Sequence, residues 1–329
     1  MPNGFDSRPL TLDDVPEIVR VANTWSERYS GRPEVTEEQE RGSISNPRVK
    51  LEQDTHGVFT ADGSMAGLVE FYDLDDPHTN YFGFLRALPD ENEAAILRYL
   101  VRWCLARAKD SIPSAPADAR CSFNVGTLSQ DETMRRVLLD EGLSVDRYSW
   151  QLDIVMDSPP PAPIWLEGIE LRPFDPDTQA RDVWEADEEA FQDHYGHVTG
   201  NFETWWSFVT DTGEMQPERW YIPWEGDQIA GVCLCTVGRE GDPNFGWVND
   251  LAVRRPWRKK GLGLALLHHA FGEFYRQGIK KVGLSADSQN LTGAIRLYER
   301  AGMSMVRQFD SYEIELRPGR DMRTTALST

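Results

Sequence analysis

Cysteine is scarce in this chain of 329 residues, and long apolar runs are missing. The four cysteines, Cys104, Cys121, Cys233 and Cys235, are too few and too scattered for a disulfide framework or a zinc site. No apolar stretch approaches the roughly 18 residues of a membrane-spanning helix, and the first residues have no signal-peptide pattern. These absences predict a reduced, cytoplasmic protein with no metal and no membrane partner.

Basic residues are also in deficit, because 34 lysines and arginines face 54 aspartates and glutamates, which gives a formal net charge of −20. A phosphate backbone requires a basic surface, so this balance excludes nucleic acid as a general partner. It is compatible with a cationic, amine-bearing ligand. Hydrophobic residues make up 40% of the chain, enough for well-filled cores, and the length predicts two domains.

The scarce cations are concentrated in one short segment, Arg254 to Lys260, where five of seven residues are basic. The segment follows a predicted strand, Trp247–Val253, and leads through Gly261 and Gly263 into a predicted helix, Leu262–Gln277. The start of a helix has unpaired N–H groups and the positive end of the helix dipole, and glycine lets an anion approach the backbone. The pattern therefore predicts a polyphosphate site.

Two common phosphate loops do not fit this segment. A Walker A loop has Lys-Ser or Lys-Thr after its glycines, and the segment lacks both. The dinucleotide-binding fingerprint requires a third small residue at the position of Leu266. The sequence RKKGLG at residues 258–263 instead resembles the acetyl-CoA loop of the GNAT superfamily of N-acetyltransferases, whose form is Arg/Gln-x-x-Gly-x-Gly/Ala.

A second signature that resembles the same superfamily follows about 30 residues later. Asn290 is placed to cap a helix, and Ala294, Leu297 and Tyr298 follow at spacings that share one helix face. Gly302 suits the left-handed position that ends a helix. Both motifs occur in the order that the superfamily has, so the resemblance extends over residues 169–317.

The resemblance implies an α/β (α+β) fold with a mixed, mostly antiparallel central sheet flanked by helices. It also implies that acetyl-CoA, as cosubstrate, binds between the fourth and fifth strands, here Trp247–Val253 and Lys281–Ala286. The residues expected to hold the cosubstrate are Leu251, Ala252, Val253, Arg258, Lys259, Lys260, Gly261, Leu262, Gly263, Leu264 and Asn290.

An internal repeat indicates that the chain contains this fold twice. Gly67 and Gly231 lie in matching strand patterns 164 residues apart, and Gly142 and Gly302 follow matching helix patterns 160 residues apart. The tandem layout predicts a division into residues 1–157, a proline-rich linker at 158–164 and residues 165–329.

The first copy lacks the phosphate loop. Its corresponding segment, Leu88 to Glu93, has no glycine pair and carries three carboxylates in place of the cations. Leu138 takes the position that Tyr298 has in the second copy. We therefore expect the first domain to be degenerate, and only the second to bind acetyl-CoA.

The resemblance implies that Tyr298 gives a proton to the departing CoA sulfur. The general base is left open. Strand alternation places Asn249 on the face of Leu251 and Val253, where it would hold a water, and places Asp250 on the other face. The sequence thus predicts catalytic roles for Tyr298 and Asn249.

A second group with a suitable base is the segment from Asp193 to His197, which contains His194. We take His194 as a further catalytic candidate, although a polar loop between helices explains the same segment. A dense aromatic cluster follows, which either packs in the core or lines an acceptor cleft. Its members are Phe202, Trp205, Trp206, Phe208, Trp220, Tyr221 and Trp224.

The sequence as a whole predicts an acetyl-CoA-dependent N-acetyltransferase that acts on the primary amine of a small molecule. Two alternatives stay open, a non-catalytic CoA-binding regulatory protein and an acetyltransferase for protein lysines or N-termini. The expected assembly is a monomer or a homodimer.

Overall fold

A computed structural model describes residues 1, 3–45, 49–73, 77–193, 197, 200–211, 216–288 and 293–324, without the side chains of Phe208 and Asp211. The chain forms two compact units. Unit 1 comprises Met1–Tyr148 and Phe309–Met322, and unit 2 comprises Ser149–Gln308 and Arg323–Thr329. In the described part of the chain, no helix is both long and apolar enough to cross a membrane.

The first half of the chain alternates short strands with helices. Its strands are β1 (Phe5–Arg8), β2 (Thr55–Thr60), β3 (Met65–Tyr72), β4 (Asn80–Ala87), β5 (Cys121–Leu128) and β6 (Ser144–Val155). Its helices are α1 (Val15–Ser30), α2 (Glu37–Ile44), α3 (Leu51–Asp54), α4 (Glu93–Ser111) and α5 (Glu132–Asp140).

The second half repeats this order of elements. Its strands are β7 (Ile169–Arg172), β8 (Trp220–Glu225), β9 (Gln228–Ile229), β10 (Gly231–Val237), β11 (Phe245–Val253), β12 (Lys281–Asp287) and β13 (Ser304–Arg317). Its helices are α6 (Pro176–Phe191), α7 (Phe202–Asp211), α8 (Leu262–Arg276) and α9 (Ala294–Arg300).

Both units have the same sheet topology. In unit 1 the order is β1-β2-β3-β4-β5-β13, and every neighbouring pair is antiparallel except the parallel pair β4–β5. In unit 2 the order is β7-β8-β10-β11-β12-β6, with β11–β12 as the parallel pair. The predicted mixed, mostly antiparallel sheet flanked by helices is confirmed.

Each sheet has a hydrophobic core on both faces. In unit 1, α4 and α5 cover one face and α1 the other. In unit 2, α8 and α9 cover one face, and α6 and α7 cover the other. Cys233 and Cys235 are buried thiols outside any disulfide, and both lie on one face of β10, as their alternation with Leu234 predicts; this is the face beneath α8.

The units differ in one respect from the predicted division into residues 1–157 and 165–329 with a linker at 158–164. Residues 149–155 of β6 pair with β12 and belong to unit 2, whereas residues 309–317 of β13 pair with β5 and belong to unit 1. Each half of the chain therefore ends in a strand that completes the sheet of the other unit. A proline-rich linker in the sequence does not reveal such an exchange, because strand pairing is a long-range property.

Candidate active site

The parallel strands β11 and β12 separate part-way along their length. Phe245–Trp247 of β11 pair with Lys281–Gly283 of β12. Beyond them the pairing ends, although β11 continues beside β10 to Val253 and β12 continues beside β6 to Asp287. The backbone of β11 from Val248 onward therefore borders a wedge between two described strands, open to an extended ligand.

A β-bulge lies where β11 leaves β12. Leu234 of β10 is opposite Asp250 of β11, but the next residue, Cys235, is opposite Val248. Asn249 is the extra residue between them. A bulge of this kind re-aims side chains and increases the local twist of a strand, so it helps to turn β11 away from its neighbour.

The bulge changes the face on which Asn249 lies. Leu251 and Val253 pack against the core beneath α8, as strand alternation predicted. The Asn249 side-chain oxygen instead accepts a hydrogen bond of 2.8 Å from the hydroxyl of Thr236, which alternates with the α8-facing Cys235. Asn249 therefore lies on the α6 face, because alternation does not hold across an inserted residue.

The loop between β11 and α8 has the backbone geometry of an anion cradle. Lys259 and Gly261 have positive φ angles of 60° and 99°. The amides of Leu264 and Ala265 both donate to the Gly261 carbonyl at 3.1 Å, so the amides of residues 261–263 precede the first intrahelical bond. A Cβ atom built on Gly261 meets no atom of the described residues within 4 Å, so these leave room beside the glycine.

Gly263 is required for a different reason. A Cβ atom there would lie 3.1 Å from the Leu297 side chain and 3.7 Å from that of Val253. The glycine thus allows the first turn of α8 to approach α9 and the end of β11 closely. Three parts of the predicted site come together here, namely the open wedge, the loop and the helix that carries Tyr298.

Three of the five cations in the loop are held by carboxylates of the α6 region. Arg254 pairs with Glu189, and Arg255 and Arg258 pair with Asp193 at 2.8 and 2.5 Å. Arg258 also donates to the carbonyls of Val253 and Ala190 at 2.9 and 3.0 Å. These arginines fix the shape of the loop, while Lys259 and Lys260 are exposed.

Two described residues of the candidate base segment after α6, Asp193 and His197, contact different partners. Hydrogen bonds from Arg255 and Arg258 lower the pKa of Asp193 to about 2, so Asp193 is an anchor for the loop and too weak a base. His197 lies 2.7 Å from Glu188. His194 lies outside the described residues, as does Asn290, and α9 begins with Gly293 as its N-cap.

Tyr298 is buried in α9 and belongs to the core on the α8 face. Desolvation, with smaller contributions from Cys233 and Asp250, raises its pKa to about 12, so its phenol is protonated at neutral pH. The helix ends as predicted at Gly302, whose φ is 92°, and the Met303 amide donates to the Tyr298 carbonyl at 3.0 Å.

Two comparisons with known proteins identify the family of the chain. The Acetyltransferase (GNAT) family model matches residues 179–303. A mycothiol acetyltransferase of Salinispora arenicola is 30% identical over 267 residues, which cover 75% of this chain and 77% of that protein. The chain belongs to the GNAT family. It is therefore an acetyltransferase with acetyl-CoA as its cosubstrate, and the predicted family is confirmed.

Two further relatives support this assignment, and a third protein shares the fold. A mycothiol acetyltransferase of Thermobispora bispora is 30% identical over 174 residues, so the match covers 50% of this chain and only 56% of that protein. The GCN5-related N-acetyltransferase structure from Sphaerobacter thermophilus has a TM-score of 0.83 and 31% identity, and 98% of each chain is covered. A tandem GNAT protein from the clavulanic acid biosynthesis pathway shares the fold, with a TM-score of 0.73, 16% identity and coverage of 96% of this chain and all of that one.

One acidic side chain of this GNAT chain was missed by the sequence reasoning. Asp187 follows Val183 by four residues and precedes Ala190 by three, so it lies on the buried stripe of α6. Its Oδ1 atom is buried and has no hydrogen-bond partner among the described residues. The available signal was a carboxylate at an apolar position of a helix, because burying a carboxylate costs stability unless it is paired, hydrogen-bonded or protonated.

The predicted aromatic cluster contributes to the core on the α6 face. Phe202, Trp205 and Trp206 are half-buried, with ring centroids about 6 Å apart. Phe202 stacks on Trp206, the other two pairs are tilted, and Trp205 also lies 5.9 Å from Trp220. Tyr221 belongs instead to the core on the opposite face, where its ring meets that of His269. The α7 aromatics therefore form one wall of the face on which Asn249 lies.

Proposed function

We propose that this protein transfers the acetyl group of acetyl-CoA to the primary amine of a small molecule. The observation that carries the proposal is the convergence, in unit 2, of an open wedge between β11 and β12, a loop with left-handed Lys259 and Gly261, and a buried, protonated Tyr298. Each part matches one requirement of thioester chemistry, namely a slot for an extended arm, donors for a diphosphate and an acid for a thiolate.

The wedge and the loop would hold the cosubstrate in the following way. The pantetheine arm would run along Leu251, Ala252 and Val253 as an added strand. The amides from Lys259 to Leu264 would bind the diphosphate, assisted by the dipole of α8, which has 15 residues. The exposed Lys259 and Lys260 would attract the anion from solution.

The reaction requires a neutral amine, a polarised thioester carbonyl and a protonated leaving group. The amine nitrogen forms a bond to the acetyl carbon while the bond from that carbon to sulfur breaks. Tyr298 would give its proton to the departing sulfur, because burial raises its pKa to about 12 and the phenol therefore carries its proton at neutral pH. The Val253 amide would polarise the carbonyl. Asn249 would hold a water that takes the proton lost by the amine nitrogen and returns it to the Tyr298 oxygen, which restores the phenol.

The α6 face supports an amine as the acceptor. Carboxylates of α6 and β11 and the aromatic rings of α7 border this face, a combination that attracts a cation with an apolar body. Two relatives carry the name mycothiol acetyltransferase. The amine precursor of mycothiol therefore belongs in any test panel, next to aromatic and aliphatic amines.

The proposal is tested with a panel of amines, peptides and acetyl-CoA, followed through release of CoA thiol. Transfer to at least one small amine is expected. Thiol release with peptides alone would favour a protein acetyltransferase, and tight CoA binding without any transfer would favour a regulatory protein. Both outcomes contradict the proposal.

A single substitution tests whether Tyr298 is the general acid. The change Tyr298→Phe should lower kcat by about 100-fold, the usual scale of general acid catalysis, with little change in acetyl-CoA affinity. Tyr275→Phe, on α8 of the same unit, is the matched control and should keep full turnover. Unaltered turnover in Tyr298→Phe would remove this residue as the acid.

A further inference from the structure

A buried arginine, Arg86, lies on the α1 face of the unit 1 sheet. It is 7% exposed and stands opposite Leu68 of β3. In unit 2 the matching pair, one residue after the glycine that both copies share, is Val232 and Ala252, and Ala252 belongs to the apolar core on the α6 face. The shared fold therefore does not require an arginine at this position, and the one in unit 1 needs a reason of its own.

The guanidinium of Arg86 has few partners within the protein. Among the described residues, it donates a single hydrogen bond, to the Leu85 carbonyl at 2.6 Å, and no carboxylate forms an ion pair with it. Its other nitrogen atoms are not among the fully buried atoms that lack a partner, so they retain access to solvent. Because a buried charge is costly unless it is paired, most of its five N–H donors are left for a ligand.

Two aromatic rings cover this guanidinium. Its central carbon lies 3.8 Å from the centroid of the Trp25 ring and 3.9 Å from that of the Phe84 ring. Such contacts use the faces of the planar group, whereas its N–H donors lie in the plane and point outward from the edge. An anion can therefore meet Arg86 at this edge, in the fork geometry that fits a carboxylate.

Asp131 is an acid within electrostatic range of Arg86, but it is committed to other donors. It is 1% exposed and accepts hydrogen bonds from the Trp25 indole and the Met134 amide, both at 2.9 Å. It supplies a charge at a distance, and burial still lowers the pKa of Arg86 to about 10. The other groups that act on this pKa are Glu70, Tyr29 and Glu34. Arg86 is therefore charged at neutral pH, and a direct anionic partner would stabilise it.

The second acid in range, Glu70 on β3, interacts with Glu40 of α2. Burial is the main cause that raises the pKa of both carboxyls, to about 8 for Glu40, so the two together hold a proton at neutral pH. Glu70 also accepts a hydrogen bond from Tyr72. This pair therefore contributes at most one negative charge near Arg86, and it does not replace a direct partner.

The same face of β4 presents apolar surface next to Arg86. Phe82 and Phe84 alternate with buried residues of the strand and are 42% and 40% exposed. Exposed rings beside a buried cation form a surface for a ligand that has an acidic head and an apolar body.

We propose that unit 1 binds a small organic monocarboxylate, with the carboxylate at the edge of the Arg86 guanidinium and the apolar body against Phe82 and Phe84. The inference goes beyond the proposed function, because it concerns the domain without the acetyl-CoA loop and does not depend on acetyl transfer. One negative charge balances one guanidinium. A doubly charged phosphate would also meet the repulsion of Asp131, so a monocarboxylate is favoured over phosphate.

The test is a titration of the full chain with para-fluorophenylacetate, followed through the fluorine resonance of the probe. Saturable binding to the wild type is expected. Arg86→Met removes the charge but keeps an unbranched side chain, and it should weaken binding by at least about tenfold, the scale of a hydrogen bond to a charged group. Arg102→Met removes an exposed arginine of α4 that already pairs with Glu141, so this matched control should bind like the wild type.

Two further probes define the class of ligand. Para-fluorobenzyl alcohol keeps the ring without the charge and should bind the wild type at least about tenfold more weakly than the acid. Inorganic phosphate keeps the charge without the ring and should not displace the acid at equal concentration. Equal affinity for the alcohol, or displacement by phosphate, would overturn the assignment to a monocarboxylate.

A second variant keeps the inference testable if Arg86→Met fails to fold. Arg86→Lys preserves the charge beside Asp131 but loses the fork of donors, so it should fold and still bind the acid more weakly than the wild type. The unit 2 variant Gly261→Asp with Arg258→Glu should bind the acid normally, because its loop is not part of this site. Wild-type affinity in the Arg86 variants, or no binding to the wild type, would overturn the site. Failure to acetylate any amine would refute the proposed function alone.

Discussion

Units 1 and 2 build the connection from their fourth strand to the following helix in opposite ways. In unit 2, Lys259 and Gly261 are left-handed, and no atom of the described residues lies within 4 Å of a Cβ position at Gly261. In unit 1, residues 88–92 contain no positive φ. The Asn92 amide donates to the Asp90 side chain at 2.7 Å, and Glu93 starts α4 and pairs with Arg28 at 2.8 Å.

The comparison shows which features of the site belong to the shared fold and which belong to the loop of unit 2. In both units the parallel pairing ends early, at Gly83–Val125 in unit 1 and at Trp247–Gly283 in unit 2. The wedge is therefore a property of the shared topology. The anion cradle is not, since unit 1 occupies its helix start with its own carboxylates, which are favourable there and repel a diphosphate.

The largest expected effect comes from replacing a glycine and a cation of the unit 2 loop by acidic residues. The double change Gly261→Asp with Arg258→Glu should weaken acetyl-CoA binding by at least about 100-fold, because juxtaposed like charges cost several kcal/mol. The aspartate would also strain a backbone position whose φ is 99°. Isothermal titration calorimetry measures this effect.

The matched change in unit 1 is Glu91→Ala, which removes an exposed acid from the corresponding loop. It should leave the affinity and the stoichiometry of acetyl-CoA unchanged. An equal loss of binding in Glu91→Ala would show that unit 1 contributes to the cosubstrate site, and the contrast between the two loops would then fail.

A smaller effect is expected when Asp193, the residue that anchors the loop, is replaced. Asp193→Asn removes the partner of Arg255 and Arg258 and should lower the free energy of unfolding by about 2 kcal/mol, the scale of hydrogen bonds to charged groups. Because the folded pKa of Asp193 is depressed to about 2, this contribution is present above pH 4 and is lost as the pH falls toward 2.

Urea unfolding at several pH values checks this expectation. The difference between Asp193→Asn and the wild type should shrink between about pH 4 and 2. Asp90→Asn, in the unit 1 loop, is the control and should stay within about 0.5 kcal/mol, since Asp90 is exposed. A constant difference down to pH 2 would show that the anchor acts through packing instead of charge.

The sequence was most informative where a feature is local. The helix start after the loop at residues 258–263, the helix stop at Gly302 and the alternation of Cys233 and Cys235 with Leu234 depend on neighbouring residues, and the structure has each of them as predicted. The bulge at Asn249 and the partners of Asp193 are long-range properties, because they depend on which residues of β10 and of the loop lie opposite. Periodicity along one element carries no such information.

Long-range contacts also decide what the cations of the loop do. Five basic residues within a segment of seven predicted attraction for a phosphate, but three of them pair with Glu189 and Asp193. Those acids lie more than 60 residues earlier in the chain. The motif position Arg258 thus supports the loop, and its proposed contact with acetyl-CoA stays a prediction.

The smallest expected effect distinguishes backbone geometry from charge within the loop. Lys259→Gly relieves about 1 kcal/mol of left-handed strain but costs about 0.5–1 kcal/mol of chain entropy, so its net effect on unfolding is near zero. Lys260→Gly, without positive φ, bears only the entropy cost and should destabilise by that amount.

Both substitutions remove one exposed charge, so both should weaken acetyl-CoA binding equally and slightly. A clear loss of affinity in Lys260→Gly alone would assign a specific phosphate contact to Lys260, and charge, not only loop shape, would then separate unit 2 from unit 1.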